Sequence, residues 1–464
     1  MLATFAALAA SLALAAPQAA PPPSSPSAQA PESKAPAASV VPWASDVAGM
    51  FQSGNLDGIS SRFAPQLASL LSPAAFRDGW AGIETRVGKL QSMGAPTIRK
   101  TGSTDSAVLR AKFERADWIL TLAFDADGKI TSLRFAPASL GGGAAASSAP
   151  PPPEFRAPTY ADPRKFSDSE VKVGAAPWLL PATLSMPAGK GPFPGVVLVH
   201  GSGPHDRDET VGGTKVFRDL AWGLASQGIA VIRYEKRSKA HGDKVGSAPV
   251  TVKDEIVDDA VAAANLLRAT KGVDPRRIVV LGHSQGGAMV PRIAAADGKL
   301  AGVISLAGPT RPIHALIDDQ LDYLVANGAA QEADVAPMRE EAQKIRSLDP
   351  AKTPPAERIM GAPPAYWLDL RGYDPGATAK GNGLPILVLQ AGRDYQVTGK
   401  DLDGWKKGLE GASFATFHTF PKANHLLVFG EGKSLPAESL VSGNVAGEVV
   451  ELIAGWVKGL PPRK

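Results

Sequence analysis

A serine with glycines two positions before and two after it, Gly282-His283-Ser284-Gln285-Gly286, follows directly on the apolar run Ile278-Val279-Val280-Leu281. Glycines at those places let a chain turn sharply from a strand into a helix, because a Cβ there would crowd the turn. The turn lifts the serine hydroxyl clear of the backbone, where a base can reach it. Gly287 to Ile293 reads as the helix that follows. Ser284 is therefore read as a nucleophile on an elbow, against the plainer reading of a glycine-rich turn between core elements.

Such a serine needs a base, an acid to orient the base, and donors for an oxyanion. Leu384 to Gln390 is a buried-strand run followed by Ala391-Gly392-Arg393-Asp394. An acid just past a strand's carboxyl end shares the elbow's edge of a parallel sheet, so Asp394 is the expected orienting acid. The plainer reading makes it a cap for the next helix. Phe414 to Phe420 reads as a short strand and Pro421 to His425 as the loop after it. His425, in that loop, can swing over the serine and is the expected base. His418, fixed within the strand, is the runner-up. Upstream, the strand Gly195 to Val199 ends in His200-Gly201-Ser202-Gly203-Pro204. The amide of Ser202, with Gly203 as second choice, pairs with the amide of Gln285 as the expected oxyanion hole, and His200 is read as a structural residue of the turn.

The chain order Ser284, Asp394, His425 is that of the α/β-hydrolases and differs from the two familiar serine-protease orders. The stretches His200 to Glu209, Phe217 to Leu224 and Tyr234 to Arg237, with the elbow and Gln390 to Val397, resemble bacterial carboxylesterases of the α/β-hydrolase superfamily. These are related to dienelactone hydrolases, serine-aminopeptidase-like hydrolases and the catalytic region of bile-acid acyltransferases. The resemblance implies an α/β-hydrolase fold and hydrolysis of short-chain carboxylic esters through an acyl-serine, with no cofactor. A serine peptidase or an acyltransferase on the same triad, and a non-catalytic binding protein, are the alternatives.

The elements that must position these residues alternate along the chain. Phe166 to Leu184 reads as leading antiparallel strands, Val216 to Gln227 as a helix and Ile229 to Arg233 as a strand. Asp254 to Arg268 is an amphipathic helix with Ile256, Ala260, Ala263 and Leu267 on one face, and Leu300 to Leu306 is the strand after the elbow helix. This alternation predicts a mostly parallel sheet covered on both faces, an α/β class. From Pro309 to Tyr373 the alternation stops for too long to be a plain loop, and helical spacing there predicts a cap over the site. Within it, Tyr366 and Trp367 are expected to enter a sheet edge and wall the acyl pocket. Asp206-Arg207-Asp208-Glu209 is expected to form a salt-bridge network tying the oxyanion loop to Arg237.

Composition narrows the classes. The 464 residues carry a formal charge of only +4 with basic residues dispersed among acidic ones, which argues against nucleic acid as a partner. There is no cysteine, so disulfides, thiolate zinc sites and catalytic thiols are excluded, and no metal is expected from seven scattered histidines. Met1 to Ala16 reads as the apolar core of a signal peptide within residues 1–20, despite no Lys or Arg before it, and is too short to span a membrane. That reading implies export to the periplasm or beyond. Residues 21–40 read as a Pro/Ala-rich linker and 139–157 as a Gly/Pro-rich one. Between them, 41–138 reads as a small α+β domain, helices first and then strands over Ala107 to Phe113, Trp118 to Phe124 and Ile130 to Phe135, with a hairpin turn at Asp127-Gly128. It resembles the nuclear-transport-factor-like cone domains that precede some bacterial hydrolases, and docking or homodimerisation is its expected role. The hydrolase is expected over 158–464, with the cap at about 309–373.

Overall fold

An eight-stranded sheet positions the elbow, with its central strands buried almost throughout and its two outermost strands largely exposed. The computed structural model describes residues 37–64, 67–68, 72–101, 104–137 and 155–463, and the chain divides into two compact units that part at Pro151 and Pro152. The run Met1 to Ala16 therefore lies outside the described residues, as do parts of both linkers.

The strands of this sheet, all in the larger unit, are β1 Phe166–Val173, β2 Leu180–Pro187, β3 Phe193–Val199, β4 Ala230–Tyr234, β5 Val273–His283, β6 Gly302–Leu306, β7 Ile386–Ala391 and β8 Ala415–Phe420. Their order across the sheet is β1-β2-β4-β3-β5-β6-β7-β8. From β3 to β8 every pairing is parallel, while β2 runs antiparallel to both β1 and β4. β4, β6 and β7 are buried at every position, as strands covered on both faces by helices must be. Val196, Leu198, Val279, Leu281, Ile304 and Leu387 form the centre of the core, against Phe217, Leu220 and Leu224 of the helix Val216–Ser226 and Val450 and Ile453 of the helix Gly447–Gly459.

The helix expected over Asp254 to Arg268 begins differently: Lys253–Val257 winds as a π-helical turn before the α-helix Asp258–Ala269. The wider turn accompanies the burial of Glu255, whose partners are described below, and π-turns of this kind recur at functional sites. Between β6 and β7 lie the helices Ile313–Ala326, Glu332–Ser347 and Pro364–Leu370. The first is tied down by Arg311 to Asp319 and Asp401, by Tyr323 stacked on Tyr395 at 4.9 Å, and by Gln320 donating to the Gln396 carbonyl at 2.9 Å. Tyr366 and Trp367 lie on the third of these helices rather than at a sheet edge.

In the smaller unit the helices Ala37–Gln52, Leu56–Ser60 and Pro73–Val87 accompany an antiparallel sheet. Thr104–Phe113, Asp117–Phe124 and Ile130–Pro137 follow the predicted strands, and two short ones, Leu90–Met93 and Thr97–Thr101, pair with Thr104–Phe113. Both flank Gly94-Ala95-Pro96 and carry too few apolar residues to show a strand period. Phe51, Trp80 and Phe135 interlock in the core at ring separations of 4.8 to 5.4 Å. Asp125 makes the hairpin turn by accepting from the amides of Asp127 and Lys129, with Gly128 at φ +77°. Among the described residues no helix is long and apolar enough to cross a membrane.

Candidate active site

Ser284 falls between the last residue of β5 and the first of the helix Gln285–Asp297, with φ +52°. A non-glycine residue held there is strained, typically by about 1 to 3 kcal/mol, and persists only where its surroundings over-determine it. Here they do. The Ser284 amide donates to the Leu306 carbonyl at 2.9 Å. A Cβ on Gly282 would lie 2.1 Å from the Gly286 carbonyl oxygen, and one on Gly286 would lie 2.3 Å from that of Val199. Both glycines are therefore demanded by close backbone approach. Gln285 opens the helix, so its amide has no intrahelical acceptor.

Asp394 sits three residues past β7 and is fully engaged. Its Oδ1 accepts from the amides of Gln396 and Val397 at 2.7 and 3.0 Å, and its Oδ2 lies 2.6 Å from Nδ1 of His425. It orients a histidine rather than capping a helix; Thr398 and Asp401 form the capping box of the helix Gly399–Gly408. His425 is buried, and Leu426 beside it donates to Asn424 Oδ1 at 3.0 Å. His425, Ser284, Ser202 and Gly201 line one small cavity. His418 stays on β8, exposed and packed on Phe420. A serine on a strained turn and an imidazole bonded to a carboxylate, lining one cavity, form an arrangement able to carry acyl transfer.

The loop after β3 is built on its own histidines. His200 donates from Nε2 to the Asp206 carbonyl at 3.0 Å and His205 from Nε2 to the Ser202 carbonyl at 2.8 Å, and burial lowers both rings, to about 3 and about 4. Both are therefore neutral at physiological pH. The expected tie from this loop to Arg237 is absent, because Arg237 pairs with buried Asp259. The four charged residues disperse instead: Arg207 to Glu170 and Glu235, Asp208 to Arg233 and Lys215, Asp206 to Thr210, and Glu209 inward. Acidic and basic neighbours in sequence point to different faces of a turn, so their spacing does not reveal their partners.

Glu209 is a functional candidate that the sequence did not single out. Fully buried, it accepts from the Gly201 amide at 2.7 Å through Oε1, and its Oε2 lies 2.9 Å from Nδ1 of His283. His283 in turn donates from Nε2 to the His425 carbonyl at 2.9 Å. With an acceptor on each ring nitrogen, His283 is an imidazolium. Burial alone would lower its pKa, but the Glu209 charge and hydrogen bond outweigh burial and raise it above 6.5. Burial likewise opposes ionisation of Glu209, and the same pairing overrides it and holds the carboxyl at about 2. A buried ion pair thus braces the backbone of both the Gly201 loop and the His425 loop.

A second buried pair acts on Gly201 from the other side. Lys236 donates to the Gly201 carbonyl at 2.7 Å and lies 3.6 Å from Glu255. Tyr366 donates to Glu255 at 3.1 Å and accepts from Gln285 Nε2 at 3.0 Å. Tyr366 is therefore a support beneath the elbow helix and not a pocket wall. Trp367 lines a cavity of about 380 Å³ that also takes in Ser202, Ser284, Met289, Leu316 and Ile345.

The model of the alpha/beta hydrolase family matches residues 196–435, and a family described as a protein of unknown function (DUF3887) matches residues 44–133. Esterase EstD of Thermotoga maritima is 39% identical over 346 residues, covering 75% of this chain and 78% of that protein. Among solved structures, Est1E from Butyrivibrio proteoclasticus shows 16% identity at a TM-score of 0.40, over 62% of this chain and 96% of that one. The esterase domain of a Rhodothermus marinus protein shows 17% identity at 0.39, over 63% and 99%.

Proposed function

This chain belongs to the alpha/beta hydrolase family, and from that footing we propose that it is a serine carboxylesterase acting on short-chain esters through an acyl-enzyme. The observation that carries the proposal is the strained Ser284 sharing a cavity with His425, whose far nitrogen is held by Asp394 at 2.6 Å. His425 takes the Ser284 proton as Oγ attacks the ester carbonyl, and Asp394 keeps the ring in the tautomer with its free nitrogen toward the serine. The amides of Ser202 and Gln285 receive the oxyanion; one such donor is typically worth about 3 kcal/mol in the transition state. The alcohol leaves with the proton from His425, and water then releases the acid.

The apolar side of the large cavity, Ala288, Met289, Ile313, Leu316, Ile345 and Trp367, takes the acyl chain. A p-nitrophenyl ester series from acetate to decanoate, run beside Ser284→Ala, tests the reading. Turnover of the shorter esters that vanishes in the variant supports it, and turnover that survives the loss of Ser284 sinks it. The apolar run Met1 to Ala16 adds export to the proposal, and N-terminal sequencing of the mature protein checks it by finding cleavage between Ala15 and Ala20. Homodimerisation through the small unit is likewise proposed; a monomer by light scattering at micromolar concentration rules it out.

A further inference from the structure

Gln396 is fixed at its backbone, while its side-chain Nε2 is unpaired among the described residues. Its amide donates to Asp394 at 2.7 Å and its carbonyl accepts from Gln320 at 2.9 Å. The residue is only 5% exposed, yet among the described residues its Nε2 has no hydrogen-bond partner. Leaving a buried amide unpaired is destabilising, a cost that an apolar side chain of the same shape would avoid. Gln396 lines the large cavity and also the small one, whose volume is about 20 Å³ and whose wall includes Ser284, His283 and His425. That volume suits a single water and little else. The two cavities share Ser202, Ser284 and Gln396, but Gln285, Trp367 and the apolar wall belong to the large one, and His425 belongs to the small one. An acyl group on Ser284 would thus lie toward the cap, with a water-sized space on the side of the base.

We propose that the Gln396 carboxamide holds the water that releases the acyl group, acting as a positioning residue for deacylation. This rests on the acyl-serine reading above. Nε2 donates to one lone pair of the water oxygen while one O–H points at Nε2 of His425. The water oxygen bonds to the acyl carbon as that proton passes to His425, and the carbonyl electron pair moves to the oxyanion. When the oxyanion collapses, the bond from the carbon to Ser284 Oγ breaks, Oγ takes the proton from His425, and the carboxylic acid departs. Acylation uses the same serine and base but no water, so loss of Gln396 should divide the two half-reactions. A space this small also favours water over an alcohol as acceptor, and hydrolysis over acyl transfer.

The test is stopped-flow release of p-nitrophenol from p-nitrophenyl butyrate by the full chain and by Gln396→Met, with intact-mass spectra taken during turnover. The expected result is a burst approaching one equivalent per chain, a steady-state kcat about 10- to 100-fold lower, an unchanged kcat/KM, and an acyl adduct that accumulates only in the variant. Thermal stability should hold or rise, because an unpaired buried amide has been removed. Gln396→Asn, which keeps the amide but withdraws it by one methylene, should shift the same way and serves if the first variant does not fold. An equal fall in kcat and kcat/KM without a burst, or an unchanged kcat, overturns the proposal. Turnover by Ser284→Ala in the same assay would instead defeat the acyl-serine reading itself.

Discussion

Lys236 grips the carbonyl of Gly201 at 2.7 Å while the amide of the same glycine is held by Glu209 at 2.7 Å. Both groups are buried charges, and each has a buried counter-ion, Glu255 and His283. In a trans peptide the carbonyl of one residue and the N–H of the next point in opposite directions. Fixing the Gly201 carbonyl therefore fixes the direction of the Ser202 amide, the proposed oxyanion donor.

Lys236→Met removes that hold and strands Glu255. We expect kcat to fall by about 10- to 100-fold with little change in KM, since a misaimed oxyanion donor weakens the transition state more than the ground state. Stability should drop by about 3 kcal/mol, the usual scale for breaking a buried pair from one side. Lys236→Arg, which keeps the charge, should restore part of both. Steady-state kinetics with thermal melts separate these effects, and a change in KM alone would speak against an oxyanion role.

The Glu209 and His283 pair predicts a pH window for stability. Glu209 is depressed from 4.5 to about 2 on folding, so its contribution is present above pH 4.5 and lost as pH falls toward 2. His283 is raised above 6.5, so its contribution is present below 6.5 and lost as pH rises through the folded value. The difference in melting temperature between the native protein and Glu209→Gln should therefore peak between pH 4.5 and 6.5. Melts across pH 3 to 9 check this; a difference that does not vary with pH contradicts it.

The three candidate residues stand out in the sequence because each lies just past a strand and carries a local mark. Ser284 has its glycines, and Asp394 and His425 each follow a strand with a short turn between. The alternation of strand and helix gave the sheet for the same reason: burial on both faces leaves runs without polar residues. The supports behind the site were not legible. Glu209 meets His283 across 74 positions and Tyr366 meets Glu255 across 111, and neither pairing has a periodicity to betray it. Tyr366 and Trp367 are expected as an aromatic pair entering a sheet edge, but they lie on a helix, where successive positions face different ways.

Backbone strain at the elbow makes a further prediction. Ser284→Gly, which relieves a positive φ, should be more stable than Ser284→Ala by about 1 kcal/mol, although both are inactive. Gly282→Ala should cost about 3 kcal/mol or more, because its Cβ would meet a backbone carbonyl at 2.1 Å that cannot move without the elbow. Denaturant titration of the three variants gives the ranking, and equal stability of the two Ser284 variants would deny the strain.

On the proposed function, the large cavity sets acyl-chain length. Met289→Trp, at its apolar wall, should narrow the p-nitrophenyl series to acetate and butyrate while leaving acetate turnover within about threefold, the effect of one filled subsite. Loss of acetate turnover along with the longer esters would mean that the cavity is not the acyl site.

The most direct measurement is labelling of the full chain with a fluorophosphonate probe, followed by peptide mapping. One adduct per chain is expected, on the peptide holding Ser284, matched by loss of ester turnover, with no labelling of Ser284→Ala. Complete inactivation with the adduct on another residue, or undiminished turnover by a fully labelled Ser284, would contradict it.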